Sequence, residues 1–363
     1  MLRPSSEAVP KVDIADYGYT ILQVETVSAC NMACTFCAYP TREDKLSIMP
    51  DDIVRRAISS IDPLGKGLQY INFSQFNEPL LDARLPQFID FAHERGFRVQ
   101  IITNGLLLRK PTISRRLLDT PPDFLKISVQ TPDRAQYEAE RGVNLDFDLY
   151  IEGIHRFLVD ARNAPFKIVV DVGCNFLTPA GEWGRRILGL RRGDPSVPNS
   201  VVSMMPAIRS FLEGLKRMEP AFEFDPADGE SLSHATSIYW EEDGLKLAPN
   251  ISFKIKPFGY GRRLEGFMPT NEPIACNNQN LGIMADGSVV PCCMAYNSNL
   301  AMGNLKLESL HSILERNRAW LGRIKGETNE KPDTCKRCLG QPTTRGVILS
   351  RALSGVKPLL RKI

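Results

Sequence analysis

An α/β fold is predicted, a partial (β/α)6 TIM-like barrel with a small cysteine-bearing domain on its C-terminal side, and three observations predict it. Between residues 19 and 206 short apolar runs alternate with amphipathic helical stretches, giving six βα units in series. Such a series means a parallel sheet, and crossovers of one right hand curl it toward a barrel. Eight units do not fit, so the barrel is expected to stay incomplete. From residue 251 the pattern turns hairpin-like and five of the nine cysteines follow. The expected organisation is a barrel over 15–215, a linker or insertion over 216–270, the cysteine-bearing domain over 271–345 and a basic tail over 346–363.

The strands are expected at Tyr19 to Thr26, Tyr70 to Ser74, Arg98 to Thr103, Phe124 to Val129, Lys167 to Cys174 and Val201 to Met205. Each is a short β-branched or aromatic run bounded by turn residues. Helices fill the intervals. One over Pro50 to Ile61 opens with proline and two acids, and another over Leu85 to Arg95 closes at Gly96, the start and stop chemistry that helix termini favour. Strand periodicity of two sorts the side chains by face. Gln23 and Glu25, Asn72 and Ser74, Lys126, Ser128 and Gln130, and Asp171 and Asn175 fall on the polar faces of four strands. A lumen so lined predicts a pocket for a polar ligand at the strand C-terminal ends. Later in the chain, Leu281 to Val290 reads as a hairpin whose Asp286-Gly287 signals a type I′ turn.

Composition narrows the class. With 43% apolar and 24% charged residues the chain is a folding one, and no apolar run reaches the roughly 18 residues of a membrane span. Glu7, Lys11, Asp13 and Asp16 interrupt any secretory signal, so a soluble cytoplasmic protein is expected. A net charge of +3 is too small to argue for nucleic acid. Arg345, Arg351, Lys357, Arg361 and Lys362 concentrate base at the C-terminal end, where a helix capping the barrel is expected rather than a membrane contact.

Cytoplasmic thiols stay reduced, so the nine cysteines read as ligands or nucleophiles rather than disulfides. Cys30, Cys34 and Cys37 form a C-x3-C-x2-C run directly after the first strand. Three thiolates on one short loop can hold three irons of a [4Fe-4S] cubane and leave the fourth open, whereas zinc asks for four ligands and none follows nearby. Cys276, Cys292, Cys293, Cys335 and Cys338 form a second group, and Cys174, on the apolar face of its strand, reads as a buried small hydrophobe.

The C-x3-C-x2-C run with Phe36 before its last cysteine resembles the signature of radical S-adenosylmethionine (SAM) enzymes. Phe73-Ser-Gln-Phe-Asn-Glu-Pro-Leu80 stands where that family carries a Gly-Gly-Glu-Pro-like segment holding the SAM amino group, and the similarity implies Asn77 and Glu78 for the role. By the same resemblance Asn104, in Thr103-Asn-Gly105, with Ser128 and Gln130 falls where relatives contact the ribose and carboxylate, and Arg141 looks like the arginine that pairs with the SAM carboxylate. The second group reads C-x10-G-x4-C from Cys276 through Gly287 to Cys292, then Cys335-Lys-Arg-Cys338. It resembles the auxiliary iron–sulfur module called SPASM, in its shortened, one-cluster form known as twitch. Gly303-Asn304-Leu305 and a helix over Ser309 to Leu321 match its usual linker. The glycine spacing favours Cys292 over Cys293 as ligand; a zinc ribbon is the alternative reading of the group.

The resemblance implies two [4Fe-4S] clusters, SAM bound at the first, and an external reductant of flavodoxin or ferredoxin type. It also implies a 5′-deoxyadenosyl radical that takes hydrogen from the substrate. A small polar substrate, such as a carbohydrate, aminocyclitol or nucleoside, is expected to be oxidised, with redox-neutral epimerisation as the alternative if Cys293 returns a hydrogen. Glu25, Lys126 and Asp171 are the acid–base candidates, with ligand binding or pairing to Lys126 as the other role for the two acids. A peptide substrate is the rival class; relatives acting on peptides carry a recognition domain of roughly eighty residues before the cluster motif, and 29 residues precede Cys30. A non-catalytic iron–sulfur or zinc protein is the alternative outside enzymes.

Overall fold

The computed structural model describes residues 11–63, 65, 67–174, 201–225, 244–257, 268–297 and 299–340. Asn175, residues 226–243 and 258–267 of the expected linker or insertion, and the basic tail lie outside them. So does the side chain of Cys174. The strands are β1 (Ile21–Val24), β2 (Tyr70–Asn72), β3 (Val99–Thr103), β4 (Phe124–Gln130), β5 (Lys167–Cys174), β6 (Leu245–Ala248), β7 (Ile251–Pro257), β8 (Asn280–Ile283), β9 (Ser288–Val290) and β10 (Gly303–Asn304). The helices are α1 (Asp51–Ser59), α2 (Leu85–His93), α3 (Pro111–Asp119), α4 (Arg134–Arg141), α5 (Phe147–Asp160), α6 (Val201–Met218), α7 (Leu310–Lys325) and α8 (Asp333–Cys338).

All ten strands join one open sheet in the order β10-β9-β8-β1-β2-β3-β4-β5-β7-β6. Its six barrel strands β1-β2-β3-β4-β5-β7 are parallel, as the βα alternation predicts. Leu22, Val24, Ile71, Ile101, Leu125, Ile127, Val170 and Phe253 belong to one core with helix residues such as Phe88 and Phe157.

The sixth strand is a correction. Val201 to Met205 opens α6, and β7 takes the place beside β5, with Asp171 in register with Lys254. A short, mostly apolar run of five residues does not distinguish strand from helix. What decides is its continuation: Met204, Ile208, Phe211, Leu212 and Leu215 are all buried at helical spacing, and Phe211 packs on Phe253 and His155. The segment 216–270, expected as linker, therefore supplies β6 and β7.

The cysteine-bearing domain is joined to the barrel by more than a linker. β8 pairs in parallel with β1, from Ile21 beside Asn280 to Val24 beside Ile283, so its hairpin extends the barrel sheet. The hairpin turn also differs from expectation. Gly287 adopts φ 91° but Asp286 does not enter the left-handed region, so the turn is not type I′. Met284 and Ser288 close a three-residue connection in which glycine alone takes the left-handed place, and the Asp286 carboxylate accepts from Ser288 N and Oγ. Ser309 caps α7 by accepting from Ser312 N, in keeping with the expected helix there.

Candidate active site and auxiliary cysteine group

The loop carrying Cys30, Cys34 and Cys37 leaves the C-terminal end of β1 and lies across the C-terminus of α4. Helix ends leave carbonyls without intrahelical partners, and here the loop supplies them: Ala33 N donates to Arg141 O at 3.0 Å and Thr35 N to Glu140 O at 2.8 Å. Gly142 follows with φ 63°, and a Cβ there would run into the Ala33 carbonyl. Glycine is thus required for both conformation and approach.

Each sulfur of the loop receives an N–H. Asn104 Nδ2 points at Cys30 Sγ (3.8 Å), Arg141 Nη1 at Cys34 Sγ (3.4 Å) and Tyr39 N at Cys37 Sγ (3.4 Å). Burial pushes the Cys30 thiol up, and N–H groups aimed at sulfur are the contacts by which a protein tunes a cluster held on such thiols. Among the described residues no three Cys, His, Asp or Glu close on a single metal ion. A cubane asks for a wider spacing, since each thiolate binds its own corner iron, and the loop fits such a group.

Of the residues expected to contact SAM, Glu78, Asn104 and Arg141 bond to this loop or to the residue before it, and their side chains are committed to different degrees. Glu78 is buried; its carboxylate accepts from Thr103 Oγ1 (2.8 Å), Leu80 N (3.1 Å) and Asn104 N (2.8 Å), tying the end of β2 to the end of β3. Burial pushes its pKa up to about 7 against those three donors. Asn77 closes its own turn through Gln75 N and Phe73 O. Asn104 also bonds Asn31 Oδ1 at 2.8 Å. Ser128 reaches Gln130 Oε1 at 3.5 Å. Gln130 stands apart, with φ 66° in a side-chain-bearing residue, at a register shift in β4, and with a buried Nε2 that has no hydrogen-bond partner. Thr131 N bonds back to Val129 O at 2.7 Å around it, a left-handed γ-turn of the kind that stores strain at functional sites.

The polar lumen is largely bonded within itself. Gln23 Nε2 donates to Ser74 O, Asn72 Nδ2 to Gln100 Oε1, and Lys126 pairs with Asp171 at 2.7 Å. Glu25 does not pair with Lys126. It is fully buried and takes both arms of Arg42, the second at 2.6 Å, together with Ala285 N from the hairpin turn. Burial pushes the Glu25 carboxyl up, and the Arg42 fork opposes that shift. Nothing in the spacing of Arg42 signals this partnership. Lys254, buried beside Asp171, was legible in the alternation of Ile251, Phe253 and Ile255 once that run is taken as a strand.

The second cysteine group assembles from three elements: Cys276 before β8, Cys292 and Cys293 after β9, and Cys335 and Cys338 on α8. Cys293, Cys335 and Cys338 act on Cys292, and Cys293, Cys276 and Cys335 act on Cys338, so all five thiols share one neighbourhood. Met284, Val290, Ala295 and Leu300 form a small core there, against which Cys292, Cys335 and Trp320 pack. The Lys325 ammonium sits 3.5 Å from the Tyr19 ring centroid and donates to Gly18 O and Asn278 O. Burial lowers its pKa to about 8 while Cys276 and Cys292 oppose the shift. Phe76 and Tyr296 meet edge to face at 5.4 Å beside Ala38 and Cys37, linking the chain after Cys293 to the first loop.

Comparison with known proteins adds the family. A family described as the radical SAM superfamily matches residues 24–159, and one described as an iron–sulfur cluster-binding domain, SPASM, matches residues 276–339. An uncharacterised protein of Methanocaldococcus jannaschii is 28% identical over 120 residues, 33% of this chain and 37% of that protein. The tungsten-containing aldehyde ferredoxin oxidoreductase cofactor-modifying protein of Pyrococcus furiosus is 27% identical over 115 residues, 32% of each chain. The chain thus spans about a third of the length of these curated relatives. Among solved structures, BtrN in complex with AdoMet and 2-DOIA superposes with a TM-score of 0.47 at 15% identity, covering 88% of this chain and 92% of that one. SuiB of Streptococcus suis bound to S-adenosylmethionine gives 0.46 at 12%, covering 83% and 65%. No helix among the described residues is long and apolar enough to cross a membrane. With the C-x3-C-x2-C loop at the C-terminal end of β1 in an open α/β sheet, the chain carries a radical SAM domain, whose family binds SAM at a [4Fe-4S] cluster, and a C-terminal SPASM iron–sulfur cluster-binding domain.

Proposed function

We propose that this enzyme oxidises a small polar substrate of carbohydrate, aminocyclitol or nucleoside type. The observation that carries the reading is the pairing of a polar barrel lumen, centred on Lys126 and Asp171, with a second cysteine group large enough for an auxiliary cubane. The bound groups supply a 5′-deoxyadenosyl radical that takes hydrogen from an unactivated C–H, and an acceptor for the electron left on the substrate. In this reading Cys30, Cys34 and Cys37 hold the first group, and Cys276, Cys292, Cys335 and Cys338 the second. Gln130, whose Nε2 has no hydrogen-bond partner, bonds SAM in this reading, as do Ser128 and Asn104. Lys126 and Asp171, 2.7 Å apart, hold the substrate hydroxyl in the same reading, and the carboxylate takes its proton. Glu25 is committed to Arg42 and serves placement of the loop rather than proton transfer. An electron donor of flavodoxin or ferredoxin type supplies reduction.

A redox-neutral epimerisation is the second reading, favoured by Cys293, a fifth thiol in a group where four suffice. The two are separated by turnover in deuterated water with candidate substrates, SAM and a reductant. Oxidation is expected to give one 5′-deoxyadenosine per product, a product two hydrogens lighter, and an active Cys293→Ala variant. Solvent deuterium on a carbon of inverted configuration, with Cys293→Ala releasing 5′-deoxyadenosine but no product, overturns oxidation in favour of epimerisation.

A further inference from the structure

The backbone of Arg141 braces the cysteine loop, but its side chain has a separate set of partners. Arg141 as a residue is 2% exposed. Nη1 donates to Cys34 Sγ at 3.4 Å, Nη2 donates to Val129 O, and Nε has no hydrogen-bond partner. The rings of Phe36 and Tyr137 cover it, with centroids 5.6 and 5.1 Å from Cζ. Cys34 is the most buried of the three loop thiols. Among the described residues no carboxylate pairs with Arg141. A buried cation is tolerated when an anion offsets it, and the side-chain atom the guanidinium reaches is the Cys34 sulfur, the place where a bound cluster would put its negative charge.

We infer that Arg141 is a positioning residue that raises the reduction potential of the cluster held by Cys30, Cys34 and Cys37, by fixing a positive charge and an N–H on the Cys34 sulfur. This rests on those three thiols being the cluster ligands. Net charge nearby and hydrogen bonds to sulfur are levers that set such potentials, and a fixed cation stabilises the electron gained on reduction. The other arm matters as well. By holding Val129 O, the carbonyl that closes the strained turn at Gln130, the same side chain ties the cluster loop to the end of β4. A fork spent on Cys34 and Val129 does not grip the SAM carboxylate bidentately, the role the resemblance implies for it.

The test is a redox titration of the full-length, anaerobically reconstituted protein, following the cluster whose EPR signal changes on adding SAM. Wild type, Arg141→Lys and Arg141→Gln are compared, with SAM affinity measured in parallel. The expected order of potentials is wild type above Lys above Gln, with reduction about tenfold less favourable from first to last, or 59 mV for one electron, and SAM affinity held within about threefold. Potentials within about twofold of one another in these terms overturn the inference. So does a tenfold loss of SAM affinity in both variants at constant potential, which assigns the guanidinium to the SAM carboxylate. If Arg141→Gln fails to retain the cluster, wild type against Arg141→Lys decides, with a fall of at least about twofold expected. Absence of any SAM-responsive cluster in the wild type defeats the ligand assignment instead, a failure the iron content reads separately.

Discussion

Gly142 and Glu78 show how little freedom single positions have around the cysteine loop. Gly142→Ala meets both a left-handed backbone and the Ala33 carbonyl, so the loop must shift. A loss of about 1–3 kcal/mol is expected, read by urea unfolding, with iron lost from the first site and retained at the second. Glu78 titrates differently. Its folded pKa, about 7, lies above the ordinary 4.5 because burial penalises the charge. A raised carboxyl pKa means the folded state binds the proton more tightly, so its stabilising contribution is full below about pH 4.5 and is lost as pH rises through 7. Relative to Glu78→Gln, wild type is expected to lose up to about 3 kcal/mol of stability between pH 4 and pH 8. A flat difference across that range would show that the three donors outweigh burial.

At the scale of elements, the Glu25–Arg42 pair joins three pieces: the end of β1, the chain just past the cysteine loop, and the β8–β9 turn through Ala285. Removing one member of a buried pair leaves a charge in low dielectric, whereas replacing both by neutral groups of similar volume does not. Arg42→Met is therefore expected to cost about 3–5 kcal/mol, and Glu25→Gln with Arg42→Met to recover most of it, measured by denaturant unfolding. Equal losses in the single and double variants would mean that packing, rather than charge, is what the pair contributes. The parallel pairing of β1 with β8 has a related consequence, since it gives the barrel and the auxiliary domain one continuous core.

For the whole molecule, two cysteine groups predict two clusters. Anaerobic reconstitution is expected to load on the order of eight irons per chain, and the combined Cys30, Cys34 and Cys37 to Ala variant about half of that with no SAM cleavage. Stoichiometric zinc without iron, in protein purified anaerobically from iron-replete cells, would defeat the reading. The core shared across β1 and β8 also predicts that barrel and auxiliary domain unfold in one cooperative transition, coincident by far-UV circular dichroism and by tryptophan fluorescence.

Local chemistry was enough to read the α/β alternation, the cysteine loop after the first strand, the auxiliary group and the helix capped by Ser309, because each depends on residue type at fixed short spacing. Helix or strand at Val201 to Met205 was not legible, since four apolar residues around Ser203 satisfy either period and only burial of Ile208, Phe211 and Leu215 against the sheet decides. Asp286-Gly287 marked a hairpin correctly, yet the turn type followed from where Met284 and Ser288 meet. The partners of charged groups were the least legible. Arg42 with Glu25, and Arg141 with Cys34, join residues 17 and 107 positions apart. A buried charge is stabilised by whichever opposite group the chain's path brings to it, and that path exists only once the sheet has formed.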